Sequence, residues 1–245
     1  METVLIIGAN SDIAYDLILA LSENFQPKLF ILASKNFDLL QQKTKNLLLT
    51  INSKIQTVFL DVANDKSYAD FYHVLPEKID CVVYCAGCLV NEDQIGQNPS
   101  FAIQTLNINY TGAMVLLDYF ASKMENYSKG IIIGISSVAG LRGRQQNYHY
   151  GAAKAAFTTY LSGLRNKLSR TQIQVITVLP GFVSTKMIRH MRPPALLTAK
   201  AADVAQAIIK AIKKKQDVVY VKPIWRWIML IIMHIPEKIF KYLAL

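Results

Sequence analysis

Short, continuous apolar runs separated by helical stretches constrain this chain more than any other feature. The runs are Val4–Ile7, Leu29–Ala33, Ile55–Leu60, Cys81–Tyr84, Gly130–Ile135, Gln174–Leu179 and Val218–Val221. They lack the alternation of a half-exposed strand, so each reads as a strand covered on both faces. Between them, Ser11–Asn24, Phe101–Tyr127 and Tyr148–Ser169 are long enough for crossover helices. This succession predicts an α/β doubly wound parallel sheet of about seven strands, with helices on both faces. No Pro/Ser/Gly-rich linker interrupts it. Residues 1–222 therefore read as one domain and residues 223–245 as an apolar, basic C-terminal tail.

With 52% apolar and 18% charged residues, the chain is neither a disordered segment nor a coiled coil. Three cysteines make no disulfide framework and suit a reducing compartment. Met1-Glu2-Thr3 carries no basic segment, Val4–Ile7 is too short for an export signal, and no stretch of about 20 apolar residues appears. A cytoplasmic location is expected. Lys and Arg outnumber Asp and Glu by 27 to 17, and the placement of that +10 decides its meaning.

The first strand runs into Gly8-Ala9-Asn10-Ser11-Asp12-Ile13-Ala14. Small residues at such a turn let the backbone approach a pyrophosphate, whose charge faces the N-terminus of the next helix. Only one of the three usual glycines is present, and an ordinary capped strand-to-helix turn explains this segment equally well.

Further along, Ser136-Ser137 follow the fifth strand, Asn109 lies on a long preceding helix, and Pro180-Gly181 follow the sixth strand. Tyr150-Gly151-Ala152-Ala153-Lys154 begins thirteen residues after Ser137. Tyr150 and Lys154 stand one turn apart on one helix face. A phenol exchanges protons at neutral pH only when its ionised form is stabilised, and the Lys154 ammonium is expected to lower the Tyr150 pKa. Ser137, at the carboxyl end of a strand, is placed to hold a substrate oxygen.

With the glycine turn, Asp61-Val62 and Ala86-Gly87, this ordered set resembles the short-chain dehydrogenase/reductase family over residues 3–221. The resemblance implies a Rossmann fold and NAD(P)-dependent hydride transfer between an alcohol and a carbonyl. It implies a catalytic set of Asn109, Ser137, Tyr150 and Lys154, Asn109 reaching Lys154 through water. The cofactor site it implies comprises Gly8, Asn10, Ser11, Asp12, Ile13, Ser34, Lys35, Asp61, Val62, Cys85, Ala86, Gly87, Tyr150, Lys154, Pro180, Gly181 and Val183. A homodimer or homotetramer also follows from it. Cys85 stands where the family often has asparagine. Cys85 and Cys88 have C-x-x-C spacing, but zinc needs further ligands and none lies nearby in sequence, so no metal is expected. His149 is expected to line the pocket.

After the second strand, an acid would accept the ribose hydroxyls of NAD, whereas a base suits the phosphate of NADP. Ser34-Lys35-Asn36 offers a hydroxyl and a cation, with no acid before Asp38. NADP(H) is therefore predicted in preference to NAD(H).

From Lys210 onward there are eight basic residues against two acids. Pro223–His234 is apolar nearly all round, which requires burial, a partner subunit or lipid. Trp225 and Trp227, flanked by Lys213, Lys214, Lys215 and Lys222, are residues suited to a headgroup boundary. The amphipathic Glu237–Leu245, with Ile239, Phe240 and Leu243, fits the same surface, and a subunit contact is the competing reading. Under the lipid reading the protein is peripheral on the inner face of the cell membrane. Tyr220-Val221 and Trp225, with the following Ile-Met and His-Ile-Pro runs, resemble the decaprenylphosphoryl 2-keto-pentose reductase-like branch of the family. That likeness extends to Asn109-Tyr110-Thr111, Ser136–Gly140, Arg142 and Arg144. It implies a keto-sugar or lipid-linked carbonyl substrate whose phosphate meets Arg142 and Arg144.

Three other readings are weaker. A catalytically silent NADP(H)-binding sensor or scaffold at a membrane surface has no need of the intact Asn/Ser/Tyr/Lys set. A nucleic-acid binder explains the charge, yet no binding motif accompanies it and the charge gathers beside an apolar tail. A sugar epimerase of the longer related type carries an extra substrate domain for which this chain has no counterpart.

Overall fold

The protein is described by a computed structural model covering residues 1–243 except 190 and 192. Seven strands form one parallel sheet: β1 (Thr3–Ile7), β2 (Leu29–Ser34), β3 (Lys54–Phe59), β4 (Cys81–Tyr84), β5 (Lys129–Ile135), β6 (Gln172–Leu179) and, at the far edge, Val218–Tyr220. Their spatial order is β3-β2-β1-β4-β5-β6, followed by the edge strand. Chain direction reverses its lateral progress between β1 and β4, and ligands of doubly wound folds bind at that switch. Val4 pairs in register with Phe30 on one side and Cys81 on the other.

Alternation within β1 explains the continuous apolar runs. Val4 and Ile6 face one core layer, packed with Leu17, Ile18 and Leu21 of α1 (Asp12–Phe25). Leu5 and Ile7 face the other, packed with Phe157 and Leu161. Both sides of the strand are covered, so every position must be apolar. The helices α2 (Phe37–Leu48), α3 (Tyr68–His73), α4 (Glu92–Gln97), α5 (Ser100–Leu106), α6 (Gly112–Glu125) and α7 (Tyr148–Lys167) follow in chain order. After them come a two-stranded sheet of β7 (Phe182–Val183) and β8 (Thr198–Ala199), α8 (Ala201–Lys214), β9 (Val218–Tyr220, the edge strand), α9 (Ile224–His234) and α10 (Glu237–Phe240).

Two expectations need correction. The stretch Phe101–Tyr127 is not one regular helix: a π turn at Asn107–Thr111 separates α5 from α6. The extra residue of a π turn frees a carbonyl from the helical ladder. Tyr84 supplies the missing donor, its hydroxyl bonding to the Ile108 carbonyl at 2.6 Å. The second correction concerns Trp225, which does not face outward. It is buried with Met229 against Val138 and Leu179, and its indole Nε1 donates to the Leu197 carbonyl at 3.1 Å. Arg142 holds the end of the tail through Glu237 at 2.5 Å, the Ile235 carbonyl at 3.3 Å and the Phe240 ring at 4.2 Å. Ala244 and Leu245 lie outside the described residues. Among the described residues no helix is long and apolar enough to cross a membrane.

Met229 is fully buried, so Met229→Ala should cost about 2–5 kcal/mol, the range for a truncated core methionine. Urea denaturation checks this, and an unchanged midpoint would show that the tail is not part of the folded core.

Candidate active site

The carboxyl ends of the strands open onto a single cleft of ≈ 530 Å³. Gly8, Asn10, Ser11, Asp12 and Ile13 contribute from the first turn, Ser34 and Lys35 from the end of β2, and Asp61 and Val62 from beyond β3. Cys85, Ala86 and Gly87 follow β4, Ser137 follows β5, Tyr150 and Lys154 come from α7, and Pro180, Gly181 and Val183 follow β6. Asn109 is fully buried behind this wall.

Gly8 has φ 83°, and a Cβ there would lie 2.4 Å from the Ala86 backbone nitrogen. Only glycine permits the turn after β1 to press against the segment after β4. Lys43 braces the same turn, donating to the Asn10 carbonyl at 2.6 Å, and Asp12 accepts the Lys186 backbone N–H at 2.9 Å. Lys43 gave no signal in the sequence, because nothing local links a lysine on α2 to the first turn. Asn10 Nδ2 bonds to Ser34 Oγ at 2.8 Å and the Asn36 carbonyl at 2.7 Å, leaving Asn10 Oδ1 buried without a partner. A close backbone approach and an unsatisfied buried oxygen suit a hydroxyl- and phosphate-bearing ligand. Lys35, read as a phosphate cation, is paired with Asp61 at 2.7 Å.

At the other end, Ser137 caps the short 3-10 turn after β5. Its Oγ accepts the Ala139 N–H at 3.1 Å and makes a long bond to the Pro180 carbonyl at 3.4 Å. Lys154 is 3% exposed; its Nζ donates to the Ile135 carbonyl at 2.9 Å and lies 5.8 Å from the centre of the Tyr150 ring. Ser136 Oγ, bonded to the Lys154 carbonyl at 3.0 Å and to Thr158 Oγ1 at 2.6 Å, fixes α7 to the end of β5. Asn109 Nδ2 donates to the Cys88 and Thr105 carbonyls at 2.8 and 2.9 Å. A Cβ on Gly87 would lie 3.1 Å from Asn109 Oδ1 and 3.7 Å from Lys154 Nζ, so both polar ends face the gap beside Gly87.

Burial sets the electrostatics here. It raises Tyr150 to about 12, with hydrogen bonding to Ser137 pulling the other way. Without a bound cofactor, desolvation of the phenolate outweighs what Ser137 offers it. Burial also lowers Lys154 to about 8 and raises the Cys85 thiol to about 12, so Cys85 is a poor nucleophile at neutral pH.

Three other expectations change. His149 does not line the cleft: its Nδ1 meets Glu92 Oε2 at 2.5 Å, and its backbone N–H donates to Glu92 Oε1 at 3.1 Å. Arg142 serves the tail, whereas Arg144 does line the cleft. Trp225 joins the wall as well: a Cβ on Gly181 would sit 2.0 Å from its ring, so the Pro180-Gly181 turn and the tail need each other. Gln146, Asn147, Met187 and Met191, also in the wall, carry no motif by which sequence alone finds them.

The sheet order and the cleft at the switch point define a Rossmann-type α/β protein. Residues 2–195 match the short chain dehydrogenase family, and the chain belongs to that family. An uncharacterised oxidoreductase of Mycobacterium tuberculosis is 32% identical over 143 residues, covering 58% of this chain and 57% of that protein's length. The NADP-dependent 3-hydroxy acid dehydrogenase of Schizosaccharomyces pombe is 26% identical over 237 residues, covering 89% of each. A short-chain dehydrogenase from Sphingobium yanoikuyae, solved in complex with NADPH, superposes with a TM-score of 0.82 at 20% identity, covering 97% of both chains.

Between about 8 and 10.5, the unfolded chain keeps the Lys154 proton and the folded one releases it. Stability therefore rises with pH across that window. Relative to Lys154→Met, the parent should gain on the order of 2–3 kcal/mol as pH climbs through it, read by urea titrations at each pH. A constant difference would mean that burial does not disfavour the ammonium.

Proposed function

We propose that the protein is an NADP(H)-dependent oxidoreductase interconverting a carbonyl and an alcohol, with Tyr150 as general acid/base. The observation that carries this reading is the gathering of Tyr150, Ser137 and a buried Lys154 in one cleft, with Asn109 behind them. The bound nicotinamide supplies the hydride donor or acceptor. Tyr150 gives its proton to the reduced carbonyl oxygen, or takes it from the alcohol. Ser137 turns its hydroxyl from the long Pro180 contact to the substrate oxygen and holds it beside the phenol. Lys154 supplies the positive charge that brings the phenol towards a working pKa, and Asn109 connects it by water to the exterior. Gly8, Asn10 and the start of α1 cradle the pyrophosphate.

The preference for NADP(H) rests on Ser34 and Lys35 at the end of β2, with the NADP named for the yeast relative and the NADPH of the Sphingobium structure as support. The Lys35–Asp61 pair is exposed on its lysine side, so the ammonium is free to turn from one anion to another. Tyr150→Phe should lower kcat by several orders of magnitude while leaving NADPH affinity within a few-fold, and Lys35→Ala should weaken NADPH more than NADH. A phenylalanine variant with near-parental turnover sinks the assignment of the acid.

A keto-sugar or lipid-linked carbonyl is the finer reading of the substrate, supported by the outer face of α9. Trp227 and Ile231 are 63% and 68% exposed, and Lys222, Arg226, Lys238 and Lys241 lie within the same tail or just before it in sequence. An apolar strip framed by cations suits an anionic lipid surface. Because Trp225 and Met229 anchor the same helix in the core, its outer face is tested by Trp227→Ser with Ile231→Ser rather than by truncation. The parent should co-sediment with phosphatidylserine vesicles in low salt and lose them in high salt, and the double variant should not bind. A parent that ignores vesicles but forms a dimer broken by the two changes favours the subunit contact.

A further inference from the structure

Arg144 lies in the loop between the 3-10 turn after β5 and α7, with its Nε buried and without a hydrogen bond. Among the described residues it has no acid partner, and desolvation alone acts on its pKa, lowering it. The guanidinium is half-buried and keeps its charge at neutral pH, and a buried Nε–H without an acceptor costs free energy. Asn147, three residues on, immediately precedes α7 and is a residue type that ordinarily caps a helix. Its side chain makes no cap, because Glu92 takes the His149 N–H instead, and Asn147 Oδ1 is left buried and unpartnered. Two unsatisfied polar groups thus share one wall of the cleft.

Their position separates them from the cofactor phosphate. Lys35 follows β2 and Arg144 follows β5; β1 and β4 lie between, three strand spacings or roughly 14 Å. Arg144 therefore belongs to the end of the cleft that holds Tyr150. Resting on the carbonyl-reductase reading, we infer that Arg144 and Asn147 form an oxyanion subsite, so that the substrate carries a carboxylate or phosphate beyond its carbonyl. Arg144 pairs with two of the anion's oxygens through its fork, and Asn147 bonds to a hydroxyl beside it.

The test uses full-length Tyr150→Phe protein saturated with NADPH, so that binding is read without turnover. Calorimetric titration compares a 3-keto acid with its methyl ester, and a keto-sugar phosphate with the unphosphorylated sugar. At least one anion should bind roughly 10- to 100-fold more tightly than its neutral counterpart. Arg144→Ala should remove that preference and leave NADPH affinity unchanged. Arg144→Lys, which preserves a charge and guards against a fold lost in the alanine variant, should retain only part of it. The arm that shows the preference identifies the anion. Equal binding of anion and neutral form, a preference that survives both substitutions, or an equal loss of NADPH overturns the subsite. Anion binding that depends on Arg144, in a parent that never reduces the compound, upholds the subsite and counts against the reductase reading.

Discussion

Lys154 is an ammonium taken almost wholly out of water, with the Ile135 carbonyl as its hydrogen-bond acceptor. Such burial is unfavourable unless the surroundings are rigid enough to keep the acceptor in place. Much of the local structure supplies that rigidity. Ile135 ends β5, which pairs on both sides with β4 and β6. Ser136 and Thr158 pin α7 to that strand end, and a Cβ at Gly140 would strike the backbone of Lys154 and Ala155. Tyr150, one turn earlier on the same helix, inherits this placement. The depressed lysine and the elevated tyrosine thus share one cause: both charged forms are disfavoured by the same desolvation.

The tail is coupled to the same region. Trp225 packs on Gly181, directly after the Pro180 carbonyl that Ser137 touches, and Met229 packs with Val138, the residue after Ser137. Arg142 closes the other end of this contact through Glu237 and Phe240. Trp225 therefore forms part of the wall on the Ser137 side, and Met229 and the Arg142 contacts hold it there. One helix face is committed to the cleft, and the opposite face remains apolar and exposed. A molecule bound to that outer face acts on a helix only one residue layer from the Pro180-Gly181 turn.

The strands were legible because burial on both faces leaves an unmistakable mark: each position of Val4–Ile7 is apolar and fully covered. The cleft residues were legible for a different reason. They follow strand ends, and a parallel sheet brings all those ends to one edge. What escaped reading depends on contacts between segments far apart in the chain. Lys43 reaches the first turn from α2, Glu92 of α4 accepts the His149 N–H at the start of α7, and Asp61, beyond β3, pairs with Lys35. The apolar all-round pattern of α9 indicates burial without saying where, so Trp225 and Trp227 read alike until packing separates them.

Asn109 shows how such a contact changes chemistry as well as shape. In an uninterrupted helix from Phe101 to Tyr127, the side-chain directions after Leu106 follow the 3.6-residue turn. The π turn resets them, and Tyr84 compensates the carbonyl it releases. Asn109 then lies fully buried with Nδ2 committed to two carbonyls, so Oδ1 is the atom left to face Gly87 and Lys154. An acceptor oxygen in that position attracts the ammonium and any water between them. The opposite amide orientation would aim a donor at a cation. The two carbonyls of Cys88 and Thr105 therefore decide which end of Asn109 faces the gap beside Gly87, and they do so from outside the cleft.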